Sequence, residues 1–326
     1  MPIHPFLPAD IEAALGQRYV VGPEIAIGGQ GAVFQATRIS HPDGTPAHDV
    51  VALKLHLYRN QDIRVRREIE AMQTLSHPNL ARLIEHGTCD VAGRQTRYIA
   101  WELIQGQTLS QRLRGGHMLE FEVLPLARDV ASAISTIWSR RIVHGDIKPS
   151  NIMLRESGGA VLIDLGAAKF LEKDYGPRPF RRLGDPPDDE EAPRTMGTLG
   201  YFSPEQIRQE RSLSCASDIF SLGVVMLQCL LGYHPTNYDQ SALADGLRVS
   251  TGILTVSDGM LSALARMLSA RPSFRPTPAG LSGYFQNLLE NIEAELAMGA
   301  RGYQSIAQGW VHPETSFGRA VTTGNA

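Results

Sequence analysis

The chain has 326 residues, 43% of them hydrophobic and 20% charged, with a formal net charge of −3. That length supports one large core or two smaller ones, and the composition is that of a folded chain rather than a disordered one. The charge balance lacks the basic field that non-specific binding to nucleic acid or anionic membranes draws on, and no apolar run approaches the roughly 20 residues of a membrane-spanning helix. The opening MPIHPFLPAD is neither basic nor followed by an apolar core, so no secretory leader is expected. Three widely separated cysteines, Cys89, Cys215 and Cys229, suit a reducing, cytoplasmic setting.

Residues 1–18 read as an N-terminal extension. From Tyr19 to about Trp101 the segments YVVGPEIAI, AVFQATRI, VVALKLHLY and RYIAWELI read as strands separated by Gly, Pro, Asp and Asn turns. One helical period interrupts them, Ile63 to Leu75, ended by Pro78. From Thr108 onward the apolar spacing becomes helical, in LSQRLRG, FEVLPLARDVASAISTIWSRR, SDIFSLGVVMLQCLLG, SDGMLSALARMLSA and AGLSGYFQNLLENIEAELA. The run YGPRPFRRLGDPPDDEEAPR, residues 175–194, has too little apolar surface for an ordinary element and reads as a loop. The tail after about Ala297 has weak periodicity.

Several short stretches carry chemistry. In IAIGGQGAVF, residues 25–34, Gly28, Gly29 and Gly31 lie between two strand patterns, where a hairpin backbone can approach a polyanion; a purely structural hairpin reads the same way. Lys54 lies in the apolar strand VALK, where an ammonium is costly to bury without an anion, unless it snorkels from an edge. Glu68, on the following helix, is either solvated or that anion. VHGDIKPSNIML, residues 143–154, brings Asp146, Lys148 and Asn151 together, and IDLG places Asp164 after a β-branched stretch. TMGTLGYFSPE then precedes SDIFSLG.

In this order the motifs resemble those of the protein kinase family, serine/threonine class, and in particular the bacterial kinases of eukaryotic (Hanks) type, over roughly Tyr19 to Leu289. The resemblance implies an α+β, bilobal fold: a small β-rich N-lobe with one helix, residues 19–103, a larger mainly α C-lobe, residues 104–291, and a tail, residues 292–326. It implies ATP with Mg²⁺ or Mn²⁺ in the cleft and proteins bearing serine or threonine as substrates, with neither nucleic acid nor membrane as partner. Ala26, Ile27, Gly28, Gly29, Gly31 and Val33 fall on the loop that covers the nucleotide, with Ala26 where the family usually has its first glycine. Lys54 would bind the α/β-phosphates and pair with Glu68. Val33, Ala52 and Met153 would sandwich the adenine, and Glu102 to Ile104 would offer it backbone hydrogen bonds, behind a large Trp101 in the gatekeeper position. Asp146 resembles the catalytic base and Lys148 the cation that stabilises the transferring phosphoryl group; Asn151 and Asp164 would hold the metal.

Thr198, Glu205 with Arg275, Asp218 and His144 match structural positions of the family. The sequence departs from the pattern at Gly145, where many members carry an arginine that reads a phosphorylated activation loop. Control by a phosphate on Tyr175 or Thr195, the hydroxyl residues between Asp164 and Gly197, is therefore not expected. The connection from Lys54 to Glu68 is shorter than the family norm, which would start the helix late or dock it less firmly. An alternative reading is a nucleotide-binding pseudokinase acting as scaffold or switch, suggested by Ala26, Trp101 and that short connection.

Overall fold

The computed structural model describes residues 6–28, 31–56, 62–171, 198, 200–210, 213–249, 254–297 and 321–323; Gly29, Tyr175, Thr195 and the run 175–194 lie outside them. The chain divides into two compact units, Met1–Gln105 with Asp164–Ala168, and Gly106–Ile163 with Lys169–Ala326. Among the described residues no helix is long and apolar enough to cross a membrane.

The first unit contains α1 (Pro8–Ala14), β1 (Tyr19–Ile27), β2 (Gly31–Ser40), β3 (Pro46–His56), α2 (Asp62–Thr74), β4 (Leu83–Val91) and β5 (Arg94–Glu102). The strands form one antiparallel sheet in the order β1-β2-β3-β5-β4. Side chains alternate across a strand, and β3 is buried on both faces from Val51 to His56. Val51, Leu53 and Leu55 join Phe34, Ala36, Tyr98 and Ala100 in one apolar core, which Phe6, Ile11 and Leu15 from the α1 segment complete. Glu12 fastens that segment, its carboxylate accepting the Val21 N–H at 2.7 Å. Ala52, Lys54 and His56 take the opposite face.

Two elements of the first unit, α1 and β4, go beyond the sequence expectation. In β4 the polar Glu85 is accommodated because it accepts hydrogen bonds from Arg18 at 2.7 Å, Arg38 at 3.2 Å and the Tyr98 hydroxyl at 2.6 Å.

The second unit is mainly helical. Its elements are β6 (Gly106–Thr108), α3 (Leu109–Arg112), α4 (Glu120–Ser139), β7 (Ile142–Val143), β8 (Ile152–Arg155), β9 (Ala160–Leu162), β10 (Lys169–Phe170), α5 (Pro204–Ile207), α6 (Cys215–Leu231), β11 (Leu247–Val249), α7 (Asp258–Met267), α8 (Pro278–Ala297) and β12 (Val321–Thr323). On α4, Val123, Ala127, Val130, Ile134 and Ile137 recur every three or four residues and are buried, the stripe expected of a helix facing a core. By contrast α6 is buried on all sides from Ser217 to Leu230, so it forms the axis of the unit. Ser214 caps its start by accepting the Ala216 N–H, and Gly232 in a left-handed conformation ends it. Ser257 caps α7, and is itself held by Glu120, which accepts its N–H at 2.7 Å.

Candidate active site

In the first unit the β1–β2 turn is closed by the Gly28 N–H donating to the Gly31 carbonyl at 3.0 Å. Gly31 is required by close approach: a Cβ there would lie 2.4 Å from the Leu55 carbonyl oxygen. Ala26 pairs with Val33 and Ile27 with Ala32 across the two strands, and Val33 pairs in turn with Lys54.

Lys54 therefore projects from a buried strand rather than from an edge. Its ammonium donates to Glu68 Oε1 at 2.8 Å and to Asp164 Oδ1 at 3.1 Å. Burial alone would lower the affinity of this amine for its proton, but the Asp164 and Glu68 carboxylates outweigh it and hold the pKa above the usual lysine range. The connection after Lys54 is short, yet α2 starts at Asp62 and the pair with Glu68 closes. Asp164 has a positive φ of 63°, uncommon for a residue with a side chain. Its Oδ1 also accepts the Gly166 N–H at 3.2 Å.

His56 is a neighbour that sequence reasoning missed. Its Nε2 lies 3.9 Å from Glu68 Oε2, and both side chains are buried. The available signal was the strand period, which puts His56 on the same face as Lys54.

Trp101 is buried opposite Ala52 in the β3–β5 ladder. The chain leaves the sheet there: the Glu102 N–H donates to the Arg82 carbonyl at 3.0 Å and the Leu103 N–H to the Val50 carbonyl at 3.2 Å. Ile104 follows and is buried.

In the second unit the segment after β7 is organised around Asp218 of α6. Its two carboxylate oxygens accept the successive N–H groups of His144 and Gly145, each at 2.9 Å. Gly145 adopts a left-handed φ of 78°, which sets the direction of its carbonyl relative to that N–H. Gln206 completes the clamp by donating to the Gly145 carbonyl at 3.3 Å. His144 is fully buried and its Nδ1 accepts the Asp146 N–H at 3.2 Å, which puts the ring hydrogen on Nε2 and makes this histidine a structural brace.

Asp146 Oδ2 accepts from Lys148 Nζ at 2.7 Å and from Asn151 Nδ2 at 3.2 Å, and the Asn151 amide also donates to the Asp146 carbonyl at 2.8 Å. Asp146 Oδ1 is buried and has no hydrogen-bond partner among the described residues. Lys148 donates to the Thr198 hydroxyl as well, so Thr198 reaches the lysine, while the aspartate is bonded by Lys148 and Asn151. Met153 lies nearby on β8, paired with Thr108 and Val161. Glu205 and Arg275 form a two-pronged buried ion pair at 2.6 and 2.9 Å, to which the Ser217 hydroxyl donates at 2.7 Å.

The structure thus gathers Lys54, Glu68 and Asp164 in one unit, and Asp146, Lys148, Asn151 and Thr198 in the other. The first set is a fixed cation held by two carboxylates. The second offers a carboxylate oxygen with unspent acceptor capacity beside a second cation. The Asn151 amide nitrogen is committed to Asp146, which leaves its carbonyl oxygen as a hard donor of the second set, as the Asp164 carboxylate is of the first; oxygen donors of this kind suit Mg²⁺.

The family model for the protein kinase domain matches residues 19–289. Among curated relatives, a "Probable serine/threonine-protein kinase PknB" of Lactococcus lactis is 29% identical over 237 residues, covering 71% of this chain and 34% of the relative. "Serine/threonine-protein kinase PknB" of Mycobacterium leprae is 28% identical over 225 residues, covering 68% and 33%. "Serine/threonine-protein kinase pkn3" of Myxococcus xanthus is 29% identical over 290 residues, covering 81% and 48%. The chain therefore spans between a third and a half of the length of these relatives.

Proposed function

The chain belongs to the protein kinase family, and from that premise we propose that it is an ATP- and Mg²⁺-dependent enzyme that transfers the γ-phosphoryl group to serine or threonine hydroxyls of proteins. The observation that carries the reading is the state of Asp146: one carboxylate oxygen is tied to Lys148 and Asn151, and the other is buried without a partner among the described residues. A buried acceptor left unpaired costs stability unless a substrate uses it. On this reading Oδ1 takes the hydrogen bond, and then the proton, of an incoming hydroxyl.

Each of the other residues has a task suited to its setting. Lys54, kept protonated by two carboxylates, binds the α/β-phosphate oxygens, and Glu68 fixes its direction. Lys148 meets the charge that spreads over the equatorial oxygens during transfer, and its bond to the Thr198 hydroxyl helps to hold its ammonium in place. Asn151 and Asp164 would be the residues that hold the metal, which would neutralise phosphate charge. Ala26, Ile27, Gly28, Gly29, Gly31 and Val33 cover the nucleotide, Ala52 and Met153 flank its base, and the chain at Glu102 to Ile104 supplies backbone contacts to the base edge. With glycine at 145 that position has no arginine to read a loop phosphate, so basal transfer is not expected to depend on one. A cytoplasmic site of action is part of the same reading, supported by three cysteines that are all free thiols.

The test is transfer of labelled phosphate from ATP by the purified chain to an added protein substrate, with and without Mg²⁺ and after phosphatase treatment. We expect metal-dependent labelling of serine and threonine that survives the phosphatase, and its loss in Lys54→Met and Asp146→Asn with unchanged circular dichroism. Nucleotide binding with no transfer by the unsubstituted chain under any of these conditions would replace the enzyme with a nucleotide-binding scaffold.

A further inference from the structure

β11 is a three-residue strand outside the catalytic machinery, and its position is fixed from two directions. Leu247 is buried, and its N–H donates to the Leu268 carbonyl at 3.0 Å just beyond α7. Upstream, the Ala244 carbonyl accepts from Arg208 Nη2 at 2.7 Å, which ties the preceding turn to the end of α5. The other edge of β11 is taken by β12, antiparallel, with Leu247 opposite Thr323, Arg248 opposite Thr322 and Val249 opposite Val321. Peptide groups alternate sides along a strand, so with the Leu247 N–H spent on Leu268 it is the N–H and C=O of Arg248 that face Thr322.

A ribbon of three residue pairs is at most marginally stable by itself. β11 nevertheless has supports of its own, in Leu268 and Arg208, that do not involve β12. One strand is thus held by the helical unit, and the other is added to it through its main chain, the arrangement by which sheet edges take up extended peptides.

We propose that β11 is a preformed strand-docking edge whose occupant is an extended β-branched segment, here the chain's own Val321–Thr323. Recognition is by backbone pairing centred on Arg248. The occupant needs a free N–H at its middle residue and side chains that favour extended backbone, which Val-Thr-Thr provides. Because the contact is short, it is exchangeable.

The test is amide hydrogen exchange, residue by residue, on the full chain and on Thr322→Pro, each at two protein concentrations. Proline removes the N–H that faces Arg248 and leaves the helical unit untouched. We expect the Arg248 amide to exchange faster by about tenfold or more in the variant, while the Leu247 amide, bonded to Leu268, keeps its protection. A peptide of residues 317–326 added to the variant should restore protection at Arg248, and the same peptide with Thr322→Pro should not. The proposal is overturned if Arg248 exchanges as fast in the unsubstituted chain as in the variant, or if Leu247 loses protection with it, since the edge is then not preformed. Protection of Arg248 that rises with protein concentration would also overturn it, by making the occupant a second copy.

Discussion

The proposed reading gives Gly145 a reason in control, the loss of an arginine that would read a loop phosphate. The structure supplies a second reason, in conformation: at a φ of 78° the residue presents its N–H to Asp218 and its carbonyl to Gln206. A side chain at that φ clashes with its own backbone, at roughly 1–2 kcal/mol per residue. We expect Gly145→Ala to lower unfolding stability by about that amount, read as a lower urea midpoint with an unchanged slope; an unchanged midpoint would mean that the glycine is not there for its backbone. His234 supports a second prediction. Its Nε2–H donates to the Gly200 carbonyl at 2.9 Å, and its Nδ1 accepts the N–H of Tyr238 at 2.9 Å and of Thr236 at 3.3 Å. A proton on Nδ1 would face two donors, and burial pushes the pKa from 6.5 down to about 4. Since the unfolded chain takes up this proton first, the contribution of neutral His234 is whole above pH 6.5 and is lost as pH falls toward 4. The urea midpoint should fall more steeply over that window in the unsubstituted chain than in His234→Gln, and equal slopes would remove His234 from the account.

Elements are joined in the second unit by the Arg275–Glu205 pair, which ties the segment after α7 to α5 and, through Ala216 and Ser217, to the start of α6. Both side chains are almost wholly out of contact with solvent. Removing one partner strands a buried charge, so Arg275→Met should cost about 3–5 kcal/mol of stability, and adding Glu205→Gln should recover part of it. A chemical-denaturation cycle with purely additive effects would show that the pair is not coupled. The same scale explains what could be read beforehand. Helices α4, α6 and α8 are long enough for apolar residues to repeat over several turns, and each was visible as a period. By contrast β4 was not: Leu83–Val91 carries Glu85, His86, Gly87 and Asp90, and only Cys89 and Val91 are buried. Its place in the sheet comes from Tyr98, Arg18 and Arg38 meeting Glu85, partners distant in sequence. α1 has seven residues, too few to show a period. The candidate catalytic segment was legible because Asp146, Lys148 and Asn151 are neighbours in the chain. The pairing of Lys54 with Glu68 was expected from the family resemblance and not from any local pattern, and the nearness of His56 and the φ of Gly145 depend on how the chain folds back, which no local pattern states.

At the scale of the whole molecule, the family match begins at residue 19, but the first unit's core begins earlier, with Phe6, Ile11 and Leu15. Large-to-small changes at such positions typically cost about 2–5 kcal/mol. We expect Phe6→Ala and Ile11→Ala each to lower the melting temperature measurably, and a chain starting at Tyr19 to be less stable than either; a chain starting at Tyr19 that melts like the full one would show that α1 adds nothing. This cover divides the sheet between two kinds of selection. Along β3 the odd-numbered residues Val51, Leu53 and Leu55 face the core that α1 seals, and the even-numbered Ala52, Lys54 and His56 face the other way. A saturation scan of this strand scored for cellular abundance and for phosphotransfer should therefore give two profiles in antiphase: odd positions would set how much protein accumulates, and even positions how fast each molecule works.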